Sequence, residues 1–381
     1  MIGWVAVAGI ALAAWVWLVL VRGFFWRTDQ RLPAGAALAE WPEVAIVVPA
    51  RDEADVLPSS LPSLLAQRYP GPARVILVDD NSSDGTAELA RRLGQDSLLP
   101  LTVTSPGQPP EGWTGKLWAV AHGISVAGPV EYLLVTDADI AHEPDSLAAL
   151  VGAAGERDLV SLMATLRVET LWERLIVPAF VYFFALLFPF RWVNRPGSRT
   201  AAAAGGCVLI RRSALENAGG YAAIAGAVID DVALAGLLKR AGGRIWLGLA
   251  DRVRSVRPYP GLAGLWRMVA RSAYTQLRHS LILLTGTVAG LLLVFVAPPV
   301  TAILGAATEN WLVCGLGAAA WLLMAGSFVP MLRHYRLPVA TALVLPVTAV
   351  LYLAMTVDSA RRHLLGRGAA WKGRTYSTVR G

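Results

Sequence analysis

Cysteine and charge are both scarce in this chain. Its 381 residues include two cysteines, Cys207 and Cys314, and Cys314 lies inside an apolar run. Neither a disulfide framework nor a cysteine-rich zinc site can be built from them. Five scattered histidines offer no metal cage either. Charged residues make up 16% of the chain and apolar residues 55%, against roughly 25% charged in an ordinary soluble domain. Mean hydropathy is +0.51. These values exclude a disordered or coiled-coil protein and argue against a wholly soluble one. Internal repeats and low-complexity segments are lacking too. The net charge of +7 raises the question of nucleic acid. Its placement answers against it: residues 41–279 carry 23 basic and 23 acidic residues, and the excess sits mostly in 358–381.

What is present first is apolar length. Ile2–Val21 is a charge-free run, long enough to cross a bilayer core of about 30 Å at about 1.5 Å per residue. A cleaved signal peptide is the competing reading. The run is too long for it, lacks a basic leader, and carries Trp4, Trp15, Trp17, Phe24, Phe25 and Trp26, which suit membrane interfaces. Arg22, Arg27 and Arg31 follow, so the positive-inside rule puts the next segment in the cytoplasm. Residues 281–305, 311–331 and 338–357 are three more charge-free runs. Pro298-Pro299 should kink or end the first of them. Three spans leaving the cytoplasm would put the basic tail (Arg361, Arg362, Arg367, Lys372, Arg374, Arg380) outside, against the same rule, unless one run is re-entrant or interfacial. Spans without ionisable residues argue against a transporter.

Between these runs the pattern alternates. Val44–Pro49, Arg74–Val78, Leu101–Thr104 and Tyr132–Thr136 read as strands. Val56–Gln67, Gly85–Leu93, Lys116–Ala127 and a segment opening at Pro144 read as helices. Continuous apolar strands between helices predict a doubly wound, mostly parallel α/β sheet. Such sheets bind ligands beyond the carboxyl ends of their strands. Residues 175–193 are apolar and aromatic and predict a helix lying in the interface. Arg257–His279 reads as a second amphipathic element leading into the membrane.

Four acidic clusters fall where a ligand is expected. Ala50-Arg51-Asp52-Glu53 follows the first strand, and Asp79-Asp80 with Asp84-Gly85-Thr86 follows the second. Capping of a helix competes as the role of Asp84. Adjacent Asp79 and Asp80 are costly without a partner. Asp137-Ala138-Asp139 follows the fourth strand, where carboxylates at i and i+2 can converge on a hard cation such as Mg²⁺ or Mn²⁺, shared with substrate phosphates. Asp230-Asp231 precedes a helix. Helix capping competes there with the role of a general base.

In order and spacing these clusters resemble the inverting family 2 glycosyltransferases of the GT-A fold, over about residues 42–280. The resemblance implies that Ala50, Glu53, Asp79, Asp80 and Asp137 hold a nucleotide-diphosphate sugar. It implies that Asp137 and Asp139 hold a divalent metal, and that Asp230 and Asp231 form the catalytic pair with Asp231 as base. The family's usual Glu-Asp is Asp-Asp here. Gly112-Trp113-Thr114-Gly115-Lys116 places Lys116 at a helix N-terminus, suited to phosphate. Gly205, Gly206 and the strand to Arg211-Arg212 resemble the family's segment beside the acceptor. The membrane-entry motif Gln-x-x-Arg-Trp is degenerate, reduced to Gln276, Arg278 and His279, which argues against a processive polysaccharide synthase.

With the tail residues Trp371, Lys372 and Arg374, the whole chain is similar to the hopanoid-associated glycosyltransferases. The tail's plainer reading is a basic anchor for anionic lipid. The alternative is a lid over the diphosphate. The resemblance implies a multi-pass protein of the bacterial inner membrane. Its expected parts are an anchor at 1–26, a cytoplasmic catalytic domain at 42–256, an amphipathic segment at 257–280, spans within 281–357 and a tail at 358–381. The expected acceptor is a lipid hydroxyl, hopanoid or otherwise isoprenoid. Two rivals stand beside it: a polyprenyl-phosphate sugar synthase of the same fold, and a non-catalytic nucleotide-sugar binder.

Overall fold

The computed structural model describes residues 2–35, 38–365, 370–371 and 374–375. Two compact units emerge. Among the described residues, one combines residues 30–167 and 192–258 with 370–371 and 374–375, and the other residues 2–29, 168–191 and 259–365.

The first unit is an α/β domain around an eight-stranded sheet. Its strands are β1 (Val44–Ala50), β2 (Ala73–Asp79), β3 (Leu101–Thr104), β4 (Tyr132–Thr136), β5 (Ile140–His142), β6 (Leu159–Thr165), β7 (Cys207–Arg211) and β8 (Ile245–Ser255). The order is β3-β2-β1-β4-β7-β6-β8-β5. The β1–β4 half is parallel, as the apolar runs predict. Beyond it the sheet is mixed, because β7 runs antiparallel to both β4 and β6. All seven residues of β1 are buried, as expected of a strand covered on both faces. Pro49 lies past the last β1–β4 pair, Val47 with Val135, where a missing donor is tolerated.

Helices Leu57–Leu65, Thr86–Leu93, Gly115–Val126 and Ser146–Ala154 follow the strands. Gly123 lets its helix approach the sheet closely. A Cβ there would lie 2.5 Å from Val47 Cγ1 and 2.8 Å from Val78 Cγ2. The strands β4 and β5 are joined by three residues, yet stand four places apart in the sheet order. Only a curled sheet permits that. β8 makes the curl: Ile245–Leu249 pairs parallel with β6, and Val253–Ser255 pairs antiparallel with β5. The connection that crosses the curl is Asp137-Ala138-Asp139.

A buried polar chain braces that connection. Thr136 Oγ1 donates to Gly206 O at 2.7 Å and lies 3.0 Å from His142 Nε2. His142 Nδ1 lies 3.1 Å from Ser146 Oγ, and Gln67 accepts from Ser146 and Leu147. Sequence periodicity carries no trace of this chain, which joins residues up to 80 positions apart.

The second unit is helical. Ile2–Leu20, Leu281–Ala307, Trp311–His334 and Val339–Leu364 are each long and apolar enough to cross a membrane. The expected break at Pro298-Pro299 takes another form. A π-helical stretch, Leu292–Val296, precedes the prolines, which then open the α-helical segment Ala297–Ala307. In a first turn their missing amide donors are harmless. Trp15 is buried and donates from Nε1 to Val294 O at 2.6 Å. Helix Leu171–Leu187 opens on a capping box, with Thr170 Oγ1 accepting from Glu173 N and Glu173 accepting from Thr170 N. It belongs to this unit, where Tyr182 Oη meets Ser327 Oγ at 2.6 Å and Ile176 O accepts from Tyr352 at 3.0 Å.

Candidate active site

The strand ends of the α/β domain place three acidic clusters together, and the helix opening at Asp230 adds the fourth. At the end of β1, Arg51 donates to Asp80 O at 2.6 Å and lies 3.6 Å from the Asp80 carboxylate. Asp80 is fully buried. The pair Asp79–Asp80 is therefore not left without compensation: Arg51 faces Asp80, and Ser82 N donates to Asp79 at 3.4 Å. Glu53 is 7% exposed and its amide donates to Thr86 Oγ1 at 2.9 Å. Asp84 accepts from Ala54 N and Thr86 N. The N-cap position itself falls to Gly85, without a side-chain cap; Asp84, one residue earlier, ties the first cluster to the second. Gly85, at φ +81°, makes the turn between them, a conformation that favours glycine.

Lys116 lies in the first turn of helix Gly115–Val126, where Thr114 caps by accepting from Leu117 N. Its ammonium lies 2.9 Å from Asp137 Oδ1 and 3.1 Å from Asp230 Oδ2. Burial alone would pull its pKa down, but these two carboxylates outweigh it and hold Lys116 above the usual lysine range. Asp137 is pushed up by the loss of water around it, partly offset by Lys116, although a third of its side-chain surface stays open.

Asp231 sits at the start of helix Asp230–Arg240. Its Oδ2 accepts from Gly205 N at 2.9 Å and its Oδ1 from Val232 N at 2.8 Å. Burial, and then the neighbouring Asp230, push Asp231 up to about 6. A carboxylate with that proton affinity is suited to act as a base near neutral pH. Gly205 packs close to both groups: a Cβ there would lie 3.5 Å from Asp231 Oδ2 and 3.6 Å from Lys116 Nζ. At the other end of β7, Arg211 meets Glu131 and Arg212 meets Glu216. The two arginines brace the far end of the strand.

Asp139 is held by Arg257, the first residue of the expected amphipathic segment. Arg257 donates from Nε to Asp139 Oδ2 and from Nη2 to Glu53 Oε2, both at 2.6 Å. Arg257 follows β8, a strand without a local sequence signature, so the sequence offers no signal for this role. Arg51 has no role assigned by the sequence pattern either.

The carboxylates Asp137 and Asp139 are hard oxygen donors on the loop that crosses the curl, and in kind they fit Mg²⁺ or Mn²⁺. Among the described residues no group of three His, Cys, Asp or Glu side chains converges as a ready-made cage. A metal here would need oxygens from its substrate. Gln276 and Arg278 lie in the helical unit, Gln276 ending the short helix Ala273–Gln276. Arg278 and His279 both adopt left-handed backbone, and His279 stacks on His363 at 4.1 Å. Trp371 and Arg374 belong to paired two-residue strands, while Lys372 lies outside the described residues.

Residues 45–219 match the family model described as glycosyl transferase family 2. Probable glycosyltransferase YdaM of Bacillus subtilis (strain 168) is 26% identical over 219 residues, covering 55% of this chain and 46% of that protein. The 4,4'-diaponeurosporenoate glycosyltransferase of Staphylococcus haemolyticus (strain JCSC1435) is 30% identical over 122 residues, 32% of this chain and 31% of that protein. The matches therefore span less than half the length of these curated relatives. The mannosyltransferase PcManGT from Pyrobaculum calidifontis, solved in complex with GDP-Man and Mn2+, superposes with a TM-score of 0.57. That alignment covers 96% of this chain and 99% of the other at 21% identity, a likeness of fold. This chain has a GT-A-like α/β fold, its residues 45–219 match the glycosyl transferase family 2 model, and four apolar helices are long enough to span a membrane.

Proposed function

We propose that the protein is a membrane-bound glycosyltransferase that moves a sugar from a nucleoside-diphosphate sugar to a lipid hydroxyl of hopanoid type, with inversion. The observation that carries this reading is the placement of Asp231. Its carboxylate, raised to about 6 by burial and by Asp230, is fixed by the Gly205 amide next to Asp230, which shares Lys116 with Asp137.

Asp231 takes the proton of the acceptor hydroxyl. The acceptor oxygen bonds to the anomeric carbon as the bond from that carbon to the diphosphate breaks. The electron pair leaves with the diphosphate, and the proton stays on Asp231. A single displacement inverts the anomeric carbon and needs no covalent intermediate. Lys116 offsets the charge gathering on the leaving group, and its helix N-terminus adds a further positive field. Ala50, Glu53, Asp79 and Asp80 line the strand ends that receive the nucleoside. Asp139 and Asp137 would hold the divalent metal, which supplies charge neutralisation of the diphosphate when bound.

Gly205 holds the base through its amide, and Gly205 and Gly206 are assigned to the acceptor side by resemblance. Gln276, Arg278 and the tail residues Trp371, Lys372 and Arg374 are assigned to the acceptor and diphosphate side by resemblance alone. The arginines after the first span support a catalytic domain on the cytoplasmic face of the bacterial inner membrane.

Membranes carrying the protein are to be incubated with a panel of radiolabelled nucleotide sugars and their lipids extracted. Label in a triterpenoid lipid is expected from one donor. Label that enters only acid-labile polyprenyl phosphate would replace the hydroxyl acceptor with a phosphate. An absence of any labelled product, with the donor left intact, would leave only the non-catalytic binder.

A further inference from the structure

Arg257 joins two clusters that the proposed chemistry uses separately. Its guanidinium spans Glu53, at the end of β1, and Asp139, on the loop after β4, with one 2.6 Å hydrogen bond to each. Both ends are braced. Glu53 N is held by Thr86 Oγ1 at 2.9 Å. Asp139 O accepts from Val256 N at 2.8 Å, and Ile140 pairs with Ser255. The Asp139 side chain keeps 15% of its surface and that of Glu53 9%, so water competes little for either contact. Lys116 treats the other carboxylates in the same way, spanning Asp137 and Asp230. Each of the two acidic residues suited to a metal is therefore already engaged by a basic side chain.

From this arrangement we infer that Arg257 is a positioning residue that makes metal binding depend on the donor. A divalent cation arriving alone must take Asp139 oxygen from a charge-assisted hydrogen bond. The displaced guanidinium then faces the cation without a new anion. A cation arriving with a diphosphate brings that anion: the phosphate oxygens accept the guanidinium that Asp139 releases. Two added positive charges are then matched by the negative charges of the diphosphate. Arg257 disfavours the metal alone and favours the metal–diphosphate complex.

The inference rests on the reading of Asp137 and Asp139 as metal ligands, and the test separates the two. The full chain in detergent is titrated with Mn²⁺ alone, then with Mn²⁺ in the presence of GDP or UDP, with free Mn²⁺ read by electron paramagnetic resonance. For Arg257→Ala, Mn²⁺ alone is expected to bind roughly tenfold tighter than to the wild type, the worth of one charge-assisted hydrogen bond. The gain on adding nucleoside diphosphate is expected to shrink. Arg257→Lys keeps the charge but cannot reach two carboxylates as a fork. It should fall between the two, and it guards against a misfolded alanine variant. Unchanged or weaker binding of Mn²⁺ alone by both variants overturns the role of Arg257. So does a requirement for nucleoside diphosphate as strict as the wild type's. Asp139→Ala tests the underlying reading: Mn²⁺ binding that survives it removes Asp139 as a ligand, whatever Arg257 does.

Discussion

Asp231 Oδ2 accepts the backbone amide of Gly205 at 2.9 Å, which ties the head of one helix to the turn before β7. The other carboxylate oxygen accepts its neighbour's amide, Val232 N, at 2.8 Å. Each oxygen keeps lone-pair capacity for an incoming hydroxyl. Two backbone amides would hold a carboxyl low, yet burial and Asp230 prevail and raise it to about 6.

That value sets a pH dependence. A base works only when ionised, so turnover is expected to fall about tenfold per unit below pH 6 and to level off above it. The profile of kcat in buffers from pH 4.5 to 8 checks this. An activity independent of pH across 5 to 7 would contradict Asp231 as the titrating base.

His142 sets a second trend, in stability. Burial pushes its pKa down to about 3, against roughly 6.5 in the unfolded chain. Between those values the unfolded chain binds a proton that the folded chain does not, so acid favours unfolding. The contribution of the neutral ring is complete above about pH 6.5 and is lost as pH falls toward 3, by up to about 1.4 kcal/mol per unit. Asp231, raised in the folded state, works the other way between about pH 4 and 6, and a His142→Gln variant shares that term with the wild type. The variant is expected to be less stable at pH 7 but to lose less between pH 7 and 5. Denaturant unfolding of the full chain in detergent at both pH values measures the difference. Equal losses would contradict a buried neutral His142.

Gly123 marks a close approach of helix Gly115–Val126 to the sheet. Gly123→Ala drives a methyl into Val47 and Val78, at 2.5 and 2.8 Å before relaxation. Those β-branched side chains yield little. A cost of about 1–3 kcal/mol is expected, reduced by up to about 1 kcal/mol of helix propensity. The double variant Gly123→Ala/Val47→Ala should recover part of what the single variants lose together. Strict additivity in that cycle would mean that the contact is not the cause.

Local sequence patterns were enough for one half of the sheet and not for the other. β1, β2 and β4 are short apolar runs bounded by polar clusters, and Leu101–Thr104 and Tyr132–Thr136 appear with their expected bounds. The acidic strand ends were legible for the same reason, since a charge next to a buried strand stands out. β5 is three residues long, and the antiparallel place of β7 depends on partners far along the chain. β8 changes partners midway along its length. None of these has a local signature. The contact of Arg257 with Glu53, 204 residues away, arises from the curl, and that of Thr136 with Gly206, 70 residues away, from the antiparallel pairing of β4 with β7. The π-helical stretch before Pro298 was invisible for a simpler reason: hydropathy does not register the hydrogen-bond pattern inside an apolar helix.

The most direct test of the account is Asp231→Asn, which keeps size and shape but cannot accept the proton. Transfer of labelled sugar to extracted lipid and affinity for the nucleotide sugar are measured on the same purified variant. The account predicts a loss of about 10²–10⁴-fold in kcat, with donor affinity within a few-fold of the wild type. Transfer at near wild-type rate would contradict it and remove Asp231 as the base.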